Sequence, residues 1–204
     1  MSESGFALFD TAIGSCAIAW GERGLLGVQL PEGDAARTRA RMRRRFPTAR
    51  ESAPPADAQR AIDGIVALIG GEATDFSAVA LDMERLPAFH RRVYDVARTI
   101  SCGATLTYGD IAKRLGVPGE AREVGEALGK NPFPIIVPCH RVLAAGGKLG
   151  GFSAPGGVAT KRRLLAIEGA RATMGPDLFD RLEHNPEKWA PVFGKDHAPK
   201  DGAG

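Results

Sequence analysis

The chain has 204 residues, of which 44% are hydrophobic and 25% charged, a composition typical of a globular protein of one or two domains. No apolar run reaches the ~20 residues of a membrane-spanning helix, and the first ten residues lack the pattern of a secretory signal. Three cysteines at 16, 102 and 139 argue against a disulfide framework, so we expect a reducing, cytoplasmic location.

The net charge of +3 is unevenly distributed along the chain. Residues 83–170 contain 13 Lys and Arg against 7 Asp and Glu, whereas residues 1–82 contain 9 against 11. A basic segment suits a polyanionic partner, although a solvated surface accounts for the charge equally well when no motif is considered.

The first 82 residues predict an α+β domain. Three short strands separated by glycine-containing turns, at residues 6–10, 15–20 and 25–30, indicate an antiparallel meander. Asp34 is the predicted N-cap of a helix over residues 35–46, and an apolar period with Val66 on its inner face predicts a second helix over 57–69. A further strand is predicted at residues 76–81.

The first predicted helix is rich in arginine, at positions 37, 39, 41, 43, 44 and 45. Such a run can indicate nucleic-acid binding. We favour the simpler interpretation, a solvated helix face with Ala36, Ala40 and Phe46 turned inward.

The segment from residue 87 predicts a series of short helices, at residues 89–100, 108–115 with Thr107 as its cap, 121–129 and 160–168. Two short helices joined by a glycine-containing turn at 116–119 form a helix-turn-helix pattern. The helix at 121–129 is unusual for a reader of the major groove, because its forward residues are small and Arg122 is its one long cation. A surface ion pair with Glu126 is the alternative role for Arg122.

Beyond residue 171 we expect one helical turn at 177–182, packed through Leu178, Phe179 and Trp189, and disorder at 197–204.

A cysteine and a histidine are adjacent at the end of an apolar run. The β-branched residues 135–137 predict a buried strand that ends at Pro138, so that Cys139 and His140 follow a rigid element. A thiol reacts as its thiolate, and a neighbouring base promotes that form. This pair alone is weak evidence, because most lone cysteines are buried and inert.

Several motifs occur together in this segment: TYGDIA at 107–112, AREVGEALGKNP at 121–132, PCHRV at 138–142, GFS at 151–153 and LLAIEG at 164–169. With these motifs the chain resembles the O6-alkylguanine-DNA alkyltransferases, also called methylated-DNA–protein-cysteine methyltransferases. The resemblance is close over residues 83–170 and loose over the N-terminal part. It departs from the family pattern at Ala154-Pro155, which separates the aromatic-Ser pair from Gly156-Gly157.

The resemblance implies three parts: a ribonuclease-H-like supporting domain at 1–82, a winged helix-turn-helix-like DNA-binding domain at 83–170, and a C-terminal extension at 171–204. It also implies direct DNA repair, in which the alkyl group of O6-alkylguanine moves irreversibly to a cysteine in a single turnover. Whether O4-alkylthymine also reacts is left open. The expected partner is double-stranded DNA containing O6-alkylguanine, bound by a monomer without a membrane.

The predicted site residues divide into those that carry out the transfer and those that hold the base. Cys139 is the nucleophile, and His140 accepts its proton directly or through one water. The resemblance implies that Glu168 orients His140, that Tyr108 and Ser153 donate to N3 and O6 of the base, and that Asn131 fixes a turn. The carbonyls of Cys139 and Val142 are the candidates to accept from the exocyclic amine.

The remaining predictions concern DNA and metals. The resemblance implies that the helix at 121–129 enters the minor groove and that Arg122 replaces an extruded nucleotide, with Ala121, Gly125 and Lys130 also at the DNA. No cofactor or metal is expected, because Cys16 and His90 do not make a four-ligand zinc set. Cys102 is expected to be a small packed residue. Two rivals are a DNA-binding module without repair and a transcriptional regulator with a passive cysteine.

Overall fold

The computed structural model describes residues 4–170. The predictions for residues 171–204, including the helical turn and the terminal disorder, lie outside this range. Among the helices of residues 4–170, none is both long and apolar enough to cross a bilayer.

The described chain begins with three strands, β1 Gly5–Thr11, β2 Gly14–Gly21 and β3 Gly24–Gln29. Consecutive strands pair antiparallel, so the predicted meander is confirmed. A two-residue strand that was not predicted, β4 Arg50–Glu51, pairs parallel with β1 and gives the sheet the order β3-β2-β1-β4.

Helix α1, Ala35–Arg45, covers one face of this sheet and begins where the sequence predicted. The Asp34 carboxylate accepts the backbone N–H of Arg37 at 2.8 Å, which satisfies one of the free donors of the first turn. The predicted inward residues were wrong in part, because Ala36 and Ala40 are exposed and Phe46 is half-buried. Thr38 and Met42 occupy the buried positions instead. The Thr38 hydroxyl is satisfied there by donating to the carbonyls of Ser15 and Asp34.

Helix α2, Ala56–Ile69, was predicted within one residue at its start. Its buried residues are Ala58, Ala61, Ile62, Ile65, Leu68 and Ile69. Val66 was wrongly assigned to this face and is 39% exposed.

The strand predicted at residues 76–81 is absent from the structure. Asp75 accepts the N–H and hydroxyl of Ser77, and the Val79 N–H bonds the Phe76 carbonyl, so the segment folds as turns. Its extended pairing is limited to an isolated bridge of Leu81 to Leu25. Local side-chain hydrogen bonds to the backbone therefore outweigh the β propensity here.

The rest of the described chain consists of short elements. They are α3 Ala88–Arg98, β5 Leu106–Thr107, α4 Tyr108–Arg114, α5 Ala121–Gly129, β6 Val142–Leu143 and α6 Gly157–Ile167. Thr107 and Asp110 make a reciprocal capping box at the start of α4, as the predicted cap requires. Strands β5 and β6 pair in parallel.

The predicted strand at residues 135–137 is wrong. The three residues are buried, but they form a turn in which the Val137 N–H bonds the Phe133 carbonyl at 2.8 Å. Ile135 has φ of 76°, a left-handed conformation that strains a β-branched residue by ~1–3 kcal/mol. A short apolar run predicts burial reliably, yet it does not distinguish a strand from a buried turn.

One hydrophobic cluster connects the two halves of the described chain. It contains residues of β2, β3 and α2 together with residues of α3, α4, α5, the 133–137 turn and α6. Tyr94 of α3 lies within this cluster, and its hydroxyl donates to the Ala127 carbonyl of α5 at 2.8 Å. The shared core therefore fixes the position of α5 relative to the cysteine-bearing segment.

Candidate active site

Cys139 begins a short 3₁₀ turn, Cys139–Arg141, between the buried 133–137 turn and β6. Its side chain is half-buried, whereas His140 and Arg141 are buried. The thiol therefore lies at the surface of the core, and the next two residues, His140 and Arg141, have polar side chains that are buried.

Asn131 holds the turn that leads to this cysteine. Its side-chain amide donates to the Val137 carbonyl at 2.9 Å, and its side-chain oxygen accepts the Phe133 N–H at 2.9 Å. The same amide nitrogen lies 3.4 Å from Cys139 Sγ. Asn131 thus links the end of α5, the strained turn at Ile135 and the sulfur.

His140 and Glu168 form a buried pair. His140 Nε2 lies 2.8 Å from Glu168 Oε1, and both side chains are fully buried. Burial raises the pKa of Glu168, but hydrogen bonds from His140 and Arg141 outweigh it and lower that pKa to about 2. An ionised carboxylate can only accept, so Nε2 carries the imidazole proton and donates it to Glu168. Nδ1 is left as the acceptor, and it has no hydrogen-bond partner within the described part of the chain.

Arg141 binds both oxygens of the same carboxylate. Its Nε donates to Glu168 Oε2 at 2.8 Å, its Nη2 donates to Oε1 at 2.9 Å, and its Nη1 donates to the Ile100 carbonyl. This bidentate geometry neutralises the buried carboxylate and fixes its plane. Burial, followed by the positive charges of Arg141 and Lys161, lowers the pKa of His140, while Glu168 opposes the shift.

The thiol itself is not activated at rest. Burial raises the pKa of Cys139, and the hydrogen bond from Asn131 and the charge of Lys161 act against that shift. Lys161 is fully buried on α6, and its ammonium donates to the Val142 carbonyl at 2.6 Å. Burial lowers the pKa of Lys161 to about 8, whereas the neighbouring Cys139 raises it. A thiol in this setting needs a base to remove its proton as it reacts.

Two cavities open on Cys139. One, of about 500 Å³, is lined by Tyr108, Arg122, Gly125 and Cys139 among others. The other, of about 550 Å³, extends from Cys139 and Lys130 to the arginines of α1. Leu128, Gly129, Phe152 and Ser153 line both cavities and so lie between them.

Of the predicted base-contacting residues, Tyr108 and Ser153 line the smaller cavity, whereas Val142 does not and Asn131 lines the larger one. The Tyr108 hydroxyl makes one long contact of 3.5 Å to the Gly151 carbonyl, so it is available to a substrate. Ser153 lies at the cavity wall with its hydroxyl donating to the Gly129 carbonyl at 2.7 Å, a bond that it must exchange before it donates elsewhere. The Val142 carbonyl already accepts from Lys161, which leaves it one lone pair.

Helix α5 has two small residues, Ala121 and Gly125, and the exposed cation Arg122 at its surface, whereas Ala127 is buried. Ala121 and Gly125 are half-exposed, and a Cβ at Gly125 would lie 3.8 Å from the Tyr108 ring. Lys130, and not Arg122, pairs with Glu126, at 2.6 Å. Arg122 is exposed and makes no ion pair within residues 4–170, so the alternative Arg122–Glu126 pair is not formed.

Sequence reasoning missed Arg141 and Lys161. Arg141 lies inside the PCHRV motif, but its bond to a residue 27 positions later is visible only in the fold. Lys161 had a usable signal, because it precedes Leu164 and Leu165 on the buried face of α6. Cys16 lies buried in β2 and His90 beside Tyr94 on α3, and no group of three possible metal ligands occurs in residues 4–170.

A cysteine followed directly by a histidine that pairs with a buried carboxylate is the arrangement expected of a thiol-dependent enzyme. Residues 88–170 match the family model described as the DNA-binding domain of 6-O-methylguanine DNA methyltransferase. The chain is 48% identical over 120 residues to the methylated-DNA–protein-cysteine methyltransferase of Mycobacterium bovis, covering 59% of this chain and 70% of the relative. It is 36% identical over 152 residues to the enzyme of the same name from Methanothermobacter thermautotrophicus, covering 74% and 78%.

Solved structures agree with these similarities. The Mycobacterium tuberculosis O6-methylguanine methyltransferase matches with a TM-score of 0.66 and 37% identity, over 87% of this chain and 99% of that one. The mycobacterial enzyme in complex with DNA matches with a TM-score of 0.64 and 38% identity, over 82% and 94%. The chain therefore belongs to the methylated-DNA–protein-cysteine methyltransferase family.

Proposed function

We propose that this chain repairs DNA directly, by moving the alkyl group of O6-alkylguanine to Cys139 in one irreversible turnover. The observation that carries the proposal is that Cys139 lines a cavity together with Arg122 and Gly125 of α5, while His140, the next residue, pairs with the buried Glu168. The relatives named methylated-DNA–protein-cysteine methyltransferase support the same chemistry.

The transfer is a displacement at an sp³ carbon. His140 Nδ1 takes the thiol proton directly or through one water, and the sulfur forms its bond to the alkyl carbon as the C–O6 bond breaks. The electron pair of that bond remains on O6, and the guanine takes up one proton, which balances the proton that His140 removed from the thiol. Tyr108 at N3 and Ser153 at O6 stabilise the developing charge. The thioether product has no easy route back to thiol, so each protein molecule acts once.

The buried charges direct the proton. Glu168 remains ionised because Arg141 and His140 donate to it, so it holds the imidazole and does not take its proton. His140 is neutral at rest because burial lowers its pKa, which leaves Nδ1 ready to accept. The arrangement follows the logic of a Cys-His-Glu triad.

The substrate base lies inside a duplex and must leave the stack, at a cost of a few kcal/mol. Helix α5 enters the minor groove, where Ala121 and Gly125 allow close approach. Arg122, which makes no ion pair within residues 4–170, fills the place of the extruded nucleotide. Lys130 contacts the backbone at the other end of α5. In this proposal α4 and α5, with the β5–β6 pair, are a winged helix-turn-helix.

Residues 1–82 are proposed as a ribonuclease-H-like supporting domain and residues 83–170 as the alkyltransferase domain. Contacts between the two segments support this division of labour. The Val28 N–H of β3 bonds the Pro132 carbonyl at 2.9 Å, next to Asn131. The first segment thereby braces the turn before the nucleophile. Action as a monomer in the cytoplasm stays a prediction.

The test is the mass of the intact protein after incubation with duplex DNA containing O6-methylguanine. We expect a gain of one CH₂ group on the peptide that holds Cys139, and no gain in Cys139→Ser. Cys16 is an internal control, because burial raises its pKa to about 12. A label on Cys16 or Cys102 instead of Cys139 would contradict the assignment, and unchanged mass in the wild type would support a binding module without repair.

A further inference from the structure

Four of the six arginines of α1 form two pairs that face different surroundings. Arg39 and Arg43 both bind Glu51, at 2.9 and 3.5 Å. Arg41 and Arg44 instead line the 550 Å³ groove that also contains Cys139. The helix therefore has one face with compensated charge and one face directed to the groove at the nucleophile.

The groove carries an excess of positive charge. Its lining includes Arg41, Arg44, Arg45 and Lys130, against one carboxylate, Glu32. Arg41 is 50% exposed and lies 3.8 Å from Glu32, a long contact, and that carboxylate is also bonded by Gln29 at 2.9 Å. Arg44 is exposed and has no ion-pair partner in the part of the chain that the structure describes. Exposed cations without firm internal partners are available to an anionic ligand.

Arg45 fixes this helix to the active-site segment. Its Nη1 donates to the Val28 carbonyl and to Gln29 Oε1, each at 2.9 Å, and its Nη2 lies 3.4 Å from the Pro132 carbonyl. Burial lowers the pKa of Arg45, and the charge of Arg41 adds to that effect. Arg45 thus has an internal structural role, and it holds Arg41 and Arg44 at a fixed place relative to Asn131 and the turn before Cys139.

We propose that Arg41 and Arg44 bind backbone phosphates of the DNA that flanks the lesion, so that α1 is a second DNA contact beyond α5. Lys130, at the end of α5, lines the same groove and connects the two contacts. Guanidinium groups suit phosphate because their N–H groups match its oxygens in pairs. This inference rests on the proposed function, because it assumes that DNA docks on α5.

The experiment compares two double variants of the whole chain that remove the same charge from the same helix. Arg41→Gln/Arg44→Gln changes the groove face, and Arg39→Gln/Arg43→Gln changes the face toward Glu51. Affinity for a duplex is measured over a series of salt concentrations, and the transfer rate is measured with that duplex and with free O6-benzylguanine base. For the groove variant we expect weaker duplex binding. We also expect the slope of log affinity against log salt concentration to fall in magnitude by ~0.9 for each phosphate that the protein no longer neutralises. The control variant should retain the wild-type salt dependence, and both variants should react with the free base at the wild-type rate.

Three results would overturn the inference. The first is a groove variant with the salt dependence of the wild type. The second is an equal loss in both variants, which would show a general charge effect. The third is a loss that appears only at high protein concentration, which would assign the face to a second copy of this chain. Failure of the proposed function is recognised separately, since the wild type would then transfer no alkyl group from either substrate.

Discussion

At the scale of single residues, the motif predicted Cys139 and His140 as the reactive pair but gave no sign of the positive charge that balances Glu168. Glu168 accepts from both His140 and Arg141, so its carboxylate stays ionised inside the core. A buried pair without Arg141 would place an uncompensated negative charge next to the imidazole and favour its protonated form. We therefore expect Arg141 to position the Glu168 carboxylate and to help keep His140 in its basic, neutral form.

This role of Arg141 predicts a shift in the pH dependence of alkyl transfer. Arg141→Met removes the positive charge that, after burial, helps to lower the pKa of His140. His140 should then hold a proton to higher pH, and the acid limb of the rate profile should move upward. The measurement is the rate of transfer from free O6-benzylguanine, followed by intact mass from about pH 5 to pH 8.

Arg141→Lys is the matched control, because it keeps the charge while losing the bidentate geometry. Its acid limb should stay near that of the wild type, with a lower rate throughout. Thermal unfolding of both variants checks that they fold. If both variants lose rate by the same factor at every pH, Arg141 has only a structural role.

At the scale of elements, the sequence predicted the meander, the helix caps at Asp34 and Thr107, and helix α5. These elements rest on local signals: glycine turns, capping side chains and an apolar period. Two strand predictions failed where hydrophobic residues are buried without extended pairing, at residues 76–81 and 135–137. The inner face of α1 was also missed, because the buried Thr38 is polar and satisfies its hydroxyl internally.

The position of Arg122 on helix α5 predicts that Arg122→Ala impairs repair of duplex DNA but not reaction with the free base. The side chain is exposed and unpaired within residues 4–170, and it borders the cavity with Cys139, so its loss should affect extrusion of the base. We expect repair of O6-methylguanine in duplex DNA to slow by more than tenfold. A tenfold change in rate corresponds to ~1.4 kcal/mol of activation free energy, which is less than the cost of unstacking a base. Reaction with free O6-benzylguanine should be unchanged, as measured by intact mass over time.

Arg162→Ala is the control for this experiment, because it removes an exposed charge from α6 and leaves α5 intact. It should show a small, equal effect on both substrates. Equal losses on the two substrates in Arg122→Ala would remove its assignment to base extrusion.

At the scale of the whole molecule, the core joins the two sequence segments and also contains the ionised network of the site. Sequence periodicity assigned many core residues and could have placed Lys161 on the buried face of α6, but it gave no sign that Lys161 is buried together with Glu168, His140 and Arg141. Contacts between residues far apart in the chain depend on the tertiary fold, and neither propensity nor period encodes them. The stability of the fold is therefore coupled to the protonation of its active site.

This coupling predicts that the protein loses stability as the pH falls. The folded pKa of Glu168 is about 2, below its ordinary value of 4.5, so its contribution is present above pH 4.5 and is lost as the pH falls toward 2. A shift of this size in a fully buried group corresponds to about 3 kcal/mol of unfolding free energy. His140 acts in the same direction below pH 6.5, because burial lowers its folded pKa and the unfolded state binds the proton first. The measurement is the free energy of unfolding by denaturant at a series of pH values.

Glu168→Gln tests whether this carboxylate is the source of the effect. The variant should be less stable than the wild type at neutral pH, because the buried Arg141 loses its counter-charge. Its stability should nevertheless fall less steeply between pH 4.5 and 2, since the titrating group is gone. Glu126→Gln is the control, because its carboxylate is exposed and its pKa is lowered by a surface hydrogen bond from Lys130. That control should follow the wild-type curve closely. Parallel curves for the wild type and Glu168→Gln would mean that Glu168 titrates at its ordinary pKa and that Arg141 does not hold it ionised.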